Sequence, residues 1–176
     1  MKIKKTIFSL VATIAMAVGY NGVQAQSADA NKTYTKVVDA SADAVWSVLR
    51  KMDEIQNYSK GIVRLEWKGP KDVGGQRVCY APDNQGFFKE NIVDYSDVNR
   101  TYSYSVIEGV PIKGMVNTWN VVDLGYNKSM IVWTSKFEEF MENPQITKEQ
   151  FFEFIDLSLN EMVGNVIAEA KMEAKM

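Results

Sequence analysis

No histidine occurs anywhere in the 176 residues. That excludes Ser-His-Asp and Cys-His catalysis in their usual form and the commonest zinc sites. Asp, Glu, Lys, Tyr and Arg remain as candidate acids and bases. With Cys79 as the only cysteine, the chain has no internal disulfide. Its neighbours Val78 and Tyr80 give Cys79 a strand setting, which suits a small buried apolar residue; the other reading is a reactive or cross-linking thiol. Net charge is small too. The net value is −2 and neither sign is clustered, which disfavours nucleic acid and anionic membrane as partners. Nor is any apolar run long enough to cross a bilayer, which takes roughly 20 residues.

What is present begins with a leader. Lys2, Lys4 and Lys5 form a basic start, residues 7–18 an apolar core, and Val23-Gln24-Ala25 a small-residue cleavage site. This reads as a secretory signal cut near Ala25, giving a secreted or periplasmic protein. No cysteine follows the cut to take a lipid anchor. Taking 25 residues from 176 leaves 151, enough for one domain. Removing three lysines takes the net charge from −2 to −5. Residues 26–32 are polar and small, a loose tail, and 33–176 are expected to form the single domain.

The rest of the chain is mostly period two. Residues 33–38 alternate as a first strand. Ser41 then caps a short helix with Asp43 in its first turn and Ala44, Val45, Val48 and Leu49 at helical spacing. A second short helix or turn is expected over 52–58. Strands follow at 62–67, 76–81, 86–95, 101–108, 115–122 and 130–137, with hairpin turns at 96–99 and 125–128. That makes about seven strands. Residues 147–176 read as one amphipathic helix, about 45 Å long. It opens on the capping box Thr147-Lys148-Glu149-Gln150 and carries the apolar stripe Phe151, Ile155, Leu159, Met162, Val163, Val166 and Ala170. Its only large partner is an antiparallel sheet, and a sheet curved around a helix leaves a pocket.

This order is that of the α+β helix-grip fold: strand, two short helices, six strands, long C-terminal helix. Residues agree with it. Val38-Asp39-Ala40-Ser41-Ala42-Asp43-Ala44-Val45-Trp46 resembles a family opening of the form Ala-Ser-Ala-x-x-Val-Trp, and Val73-Gly74-Gly75-Gln76-Arg77 a glycine turn followed by Arg. Lys89-Glu90-Asn91-Ile92, the segment 100–109 and Val132-Trp133-Thr134-Ser135-Lys136-Phe137 continue the match in order. The chain resembles the START/Bet v 1-like superfamily, in particular its polyketide cyclase/dehydrase-like branch, SRPBCC, over residues 34–171. That superfamily holds lipid carriers, hormone receptors, aromatic cyclases and exported accessory proteins of dehydrogenases on one scaffold.

The resemblance implies a cavity between the concave sheet face and the last helix. Alternation nominates its lining: Phe88 and Glu90, then Tyr102, Tyr104 and Val106, then Trp133, with Phe151, Ile155 and Leu159 from the helix. For 115–122 both alternations are acceptable, and Trp119 is read as inward. Plain core packing is the competing reading for all these aromatics. Glu90 is the sharpest residue. Plant abscisic-acid receptors place a pocket glutamate in a similar segment, there followed by Arg-Leu where this chain has Asn91-Ile92. It is read either as an ion pair with Arg77 or exposed, or as a ligand-binding or acid/base group, and Arg77, its candidate cationic partner, is counted among the ligand-binding residues.

Three functions remain open. The first is an exported protein holding a small hydrophobic or amphipathic ligand such as a lipid, isoprenoid or aromatic metabolite. The second is a cyclase or dehydratase using Glu90 and a Tyr, and the third an accessory protein with a periplasmic protein partner. No cofactor, metal, nucleic acid or stable membrane anchor is expected.

Overall fold

The computed structural model describes residues 31–173. The leader and most of the presumed tail therefore lie outside the described residues. Strand β1, Lys32–Val38, starts one residue inside the segment read as tail. Asn31 is already held: its N–H donates to the Ser135 carbonyl at 2.9 Å and its Oδ1 accepts from Phe137 N at 2.7 Å.

Helix α1, Ala42–Leu49, forms where the capping serine predicts it, with Ser41 Oγ accepting from Ala44 N at 3.2 Å. The second helix does not form. Residues Ile55–Asn57 make a single 3-10 turn with no side-chain cap, because so short a segment cannot offset the cost of nucleating an α-helix. β2 (Arg64–Lys68), β3 (Gln76–Tyr80), β4 (Phe87–Ser96) and β5 (Thr101–Glu108) follow as antiparallel neighbours. β6 (Ile112–Lys113) pairs with β9 (Glu139–Phe140) as a two-residue ribbon too short to read from a sequence pattern. β7 (Val116–Gly125) and β8 (Lys128–Lys136) complete a seven-stranded sheet in the order β1-β8-β7-β5-β4-β3-β2.

The turn between β7 and β8 puts Tyr126 and Asn127 at φ 52° and 58°. Two successive left-handed residues match the twist of the strands they join. β4 and β5 go out of register twice, between Lys89 and Glu90 and between Ile92 and Asp94. Such bulges bend a strand and increase its twist. The second one leaves Val93 exposed and returns Tyr95 to the inner face beside Tyr102.

Helix α2, Lys148–Glu173, closes the concave face. Its capping box is formed on both sides: Gln150 N donates to Thr147 Oγ1 at 3.2 Å, and Thr147 N donates to Gln150 Oε1 at 2.9 Å. Leu159, Met162, Val163, Val166 and Ala170 are buried. α2 packs on α1 and, at one edge, on β1. There Lys32 Nζ meets Asp156 at 2.7 Å and the Tyr34 hydroxyl donates to Asn160 at 3.1 Å. No described helix is long and apolar enough to cross a membrane.

Candidate functional site

Cross-strand register arranges the inner face of the sheet in rows. One row runs Tyr95, Tyr102, Trp119, Trp133 and Tyr34 across five strands. The next runs Ile92, Tyr104, Asn117, Ser135 and Lys32. A third brings Trp67, Arg77, Glu90 and Val106 side by side.

The aromatic row is solid core where α1 covers it. Trp46 of α1 lies 6.0 Å from the Tyr95 ring and 6.3 Å from that of Tyr102, and its Nε1 donates to Asp97 at 2.8 Å. Towards the first turns of α2 the layers separate, and a cavity of about 150 Å³ remains. Phe88, Glu90, Tyr104, Val106 and Trp133 line it from the sheet, as alternation predicts. Phe151, Ile155 and Leu159 line it from α2. Phe154, 57% exposed, stands at its mouth.

Three residues expected in the lining stand elsewhere. Trp119 and Tyr102 face inward but are buried in the aromatic row, outside the cavity wall. Arg77 is fully buried behind Glu90. The first two are displaced because α1 and the C-terminal half of α2 fill the space above them. Residues the sequence reading did not nominate take part instead: Met115 and Asn117 of β7, Val110, Ser158 and Met162, and Ile55, Ser59 and Ile62 from the segment around the 3-10 turn. Asn160 is exposed and tied to Tyr34 and to the Asp156 carbonyl, away from the cavity.

The charged pair is structural at its root. Arg77 Nε donates to Glu90 Oε2, and Arg77 Nη1 donates to the Met52 carbonyl at 2.9 Å. The guanidinium also stands 4.8 Å from the centre of the Tyr104 ring. Burial would lower the Arg77 pKa, but the carboxylate beside it prevails and holds it well above its ordinary value. For Glu90 burial pushes the carboxyl up, with Arg77 pulling the other way. Burial likewise pushes Tyr102 up to about 12 and Tyr104 higher still. Glu90 is 3% exposed, and that fraction borders the cavity.

Asn117 adds a different feature. It is 3% exposed, and its Oδ1 has no hydrogen-bond partner among the described residues. Ser135 Oγ, directly across the strand pair, also has none. An unmet buried polar group costs about 1–3 kcal/mol. On the same inner face Arg77 Nη2 and Trp119 Nε1 also have no partner among the described residues, whereas Tyr104 Oη accepts from Trp133 Nε1 at 3.3 Å and Glu90 accepts from Arg77 Nε.

Cys79, also singled out in the sequence, carries no chemistry. Cys79 is buried, and burial pushes its thiol up to about 12, so it is an inert core residue. Glu138, Glu139 and Glu142 are exposed, with Glu138 paired to Lys113 at 2.8 Å. No cluster of metal-ligating side chains occurs among the described residues.

Comparison with known proteins agrees with this geometry. Residues 30–161 match the sequence profile of a family described as polyketide cyclase / dehydrase and lipid transport. No curated protein sequence matches the chain. Among solved structures, a protein from Nitrosospira multiformis is similar at 20% identity and a TM-score of 0.65, covering 82% of this chain and 99% of that one. The protein XoxI from Bacillus cereus is similar at 16% identity and TM-score 0.65, over 78% of this chain and 92% of its own. The Zhui aromatase/cyclase from Streptomyces sp. R1128 is similar at 17% identity and TM-score 0.64, over 81% and 94%. These likenesses establish the helix-grip fold.

Proposed function

The chain belongs to the polyketide cyclase / dehydrase and lipid transport family, and from that premise we propose that it is an exported protein that holds a small hydrophobic or amphipathic molecule in the cavity between sheet and α2. The observation that carries this reading is the cavity wall itself. Phe88, Val106, Trp133, Phe151, Ile155 and Leu159 supply apolar surface, and three polar side chains, Glu90, Tyr104 and Asn117, share one side. That is the composition of a ligand site: mostly apolar, with a few groups that fix orientation. Affinity comes from apolar burial, at about 25 cal/mol per Å².

A cavity of about 150 Å³ takes one ring or the end of a longer chain; an engineered apolar cavity of that volume binds benzene. Wider occupants need the first turns of α2 or the segment around Ile55 to move outward. Export is supported by the leader pattern of residues 1–25.

A second reading is proton transfer to the bound molecule by Glu90 and Tyr104, favoured because both reach the same wall. The ion pair with Arg77 weighs against it, since it commits the carboxylate to a fixed partner. Native mass spectrometry of the protein purified from its own secretory compartment tests the first reading. A stoichiometric apolar adduct, lost on denaturation, supports it. A bare mass that stays bare after incubation with a lipid and aromatic library overturns it. Turnover of a bound molecule that disappears in Glu90→Gln would replace it with the second.

A further inference from the structure

We infer that the solvent face of α2 docks a second copy of this chain, antiparallel, in a weak symmetric dimer that borders each cavity mouth with the partner's last helical turn. The inference stands whether or not the cavity holds a ligand.

α2 has a second stripe besides the buried one. Phe154, Leu157, Glu161, Gly164, Ala168 and Lys171 follow one another in steps of three and four on its solvent side, the spacing of a helix–helix seam. Phe154 and Leu157 are 57% and 65% exposed, and Met172, beside Lys171, is 56% exposed. Gly164 is a separate observation. It sits well inside a 26-residue helix, where glycine is among the poorest helix formers. A Cβ at this position would meet nothing within 4 Å, so no contact among the described residues calls for a glycine here. A second helix passing close to the backbone does.

The stripe is complementary to itself. Its bulk lies in the N-terminal half, at Phe154 and Leu157, and its small residues, Gly164 and Ala168, lie in the C-terminal half. Laid antiparallel about a twofold axis near residues 162 and 163, Leu157 falls on the partner's Ala168, Glu161 on the partner's Gly164, and Phe154 on the stem of the partner's Lys171. Laid parallel, bulk would meet bulk and the small residues would face a gap. Charge agrees, because Glu153 on the flank of the stripe comes beside the partner's Lys171. The two Glu161 carboxylates come nearest the axis, and each is drawn aside by hydrogen bonds from Lys60 N, at 3.2 Å, and from Asn165 Nδ2. A lipid surface would match Phe154 and Leu157 but would desolvate Glu153 and Glu161 on the same face. Phe154 stands at the cavity mouth, so the partner's Lys171 and Met172 border it. One helix seam buries less than the roughly 1,200 Å² of a stable interface, so the copies exchange rather than pair permanently.

Sedimentation equilibrium of the purified protein over roughly 5–500 µM, where a seam of this size associates, provides the test. The expected result is monomer and dimer in exchange. Leu157→Lys and Gly164→Leu should each weaken the dimer about tenfold or more, with neither lowering the unfolding temperature of the monomer, because both positions face solvent. Gly164→Leu is the discriminating variant: it adds apolar surface, so it would strengthen mere stickiness while blocking this close approach. Lys171→Glu should weaken the dimer, and adding Glu153→Lys should restore it. A monomer throughout the range overturns the inference. So does a dimer as tight or tighter in Gly164→Leu, or one indifferent to Leu157→Lys, which places the contact elsewhere. Failure of Glu153→Lys to rescue Lys171→Glu overturns the antiparallel pairing. A monomer that instead binds phosphatidylcholine vesicles, and loses that binding in Leu157→Lys, assigns the face to lipid and overturns the dimer.

Discussion

The two ends of the space beneath α2 are made of the same elements and behave oppositely. At the C-terminal end α2, with Val163, Val166 and Ala170 buried, packs on α1, which packs in turn on β7 and β8; Val45, Trp46, Leu49, Tyr102 and Trp119 are all buried, and the Trp46 ring stands 6.3 Å from that of Tyr102. At the N-terminal end Phe151 and Ile155 face Phe88, Val106 and Met115 across a cavity. The difference is the presence of α1 as a third layer at one end only. Where three layers meet, aromatic side chains interlock and the wall is inert. Where helix and sheet meet without that wedge, surface is left for a ligand.

The sharpest way to break the contrast is to hollow the solid end. Trp119→Ala should cost about 3–5 kcal/mol of unfolding free energy in urea, the range for deleting a large aromatic from a packed core. Arg77→Ala should cost a similar amount, about 3–5 kcal/mol, because it leaves Glu90 buried without its partner. The paired replacement Arg77→Met with Glu90→Leu should recover most of that loss, since an apolar pair removes both desolvation costs. A double variant as unstable as Arg77→Ala would show that the pair contributes more than mutual compensation.

Thr147→Ala tests the open end. It removes one side of the capping box at the start of α2 and should cost about 1 kcal/mol by thermal unfolding, with hydrogen exchange quickening at residues 148–151 before any change near Val166.

Smaller again is the pH response, whose sign should differ between the ends. Burial raises the Glu90 pKa above its ordinary 4.5. The folded state then binds the proton more tightly than the unfolded chain, so stability falls as pH rises from 4.5 through the folded value. Asp97, which ties Trp46 and Tyr95 at the solid end, has its pKa lowered below 3.8 by the hydrogen bonds from the Tyr95 hydroxyl and Trp46 Nε1. Its contribution is present above 3.8 and is lost as pH falls through the depressed value. Urea titrations across pH on Glu90→Gln and Asp97→Asn should each flatten one of these limbs; a single variant that flattens both would contradict the separation. The smallest effect belongs to Phe154→Ala at the cavity mouth, within about 0.5 kcal/mol on thermal unfolding, because Phe154 is more than half exposed.

Much of this arrangement was legible along the chain. Thr147 and Gln150 announced the start of α2, Ser41 that of α1, and the turn at 125–128 joined β7 to β8 as expected. Glu90 and Arg77 were named as partners in one of two readings of Glu90, and they are partners. Eight of the eleven nominated residues line the cavity, and Trp119, Tyr102 and Arg77 do not. Asn117 carried no signal of its own. It shares the inward face with Trp119, but nothing in an isolated Asn separates a buried, unpartnered amide from a solvated one.

The division follows the range of the forces involved. Caps, turns and alternation are decided by residues within four positions of one another, so the order of elements and the inward faces are properties of the chain read locally. The bulge at Val93, the wedge of α1 over Trp119 and the void beside Asn117 depend on contacts between segments tens of residues apart. Packing in three dimensions alone determines which inward residue is covered by another side chain and which is left facing a cavity.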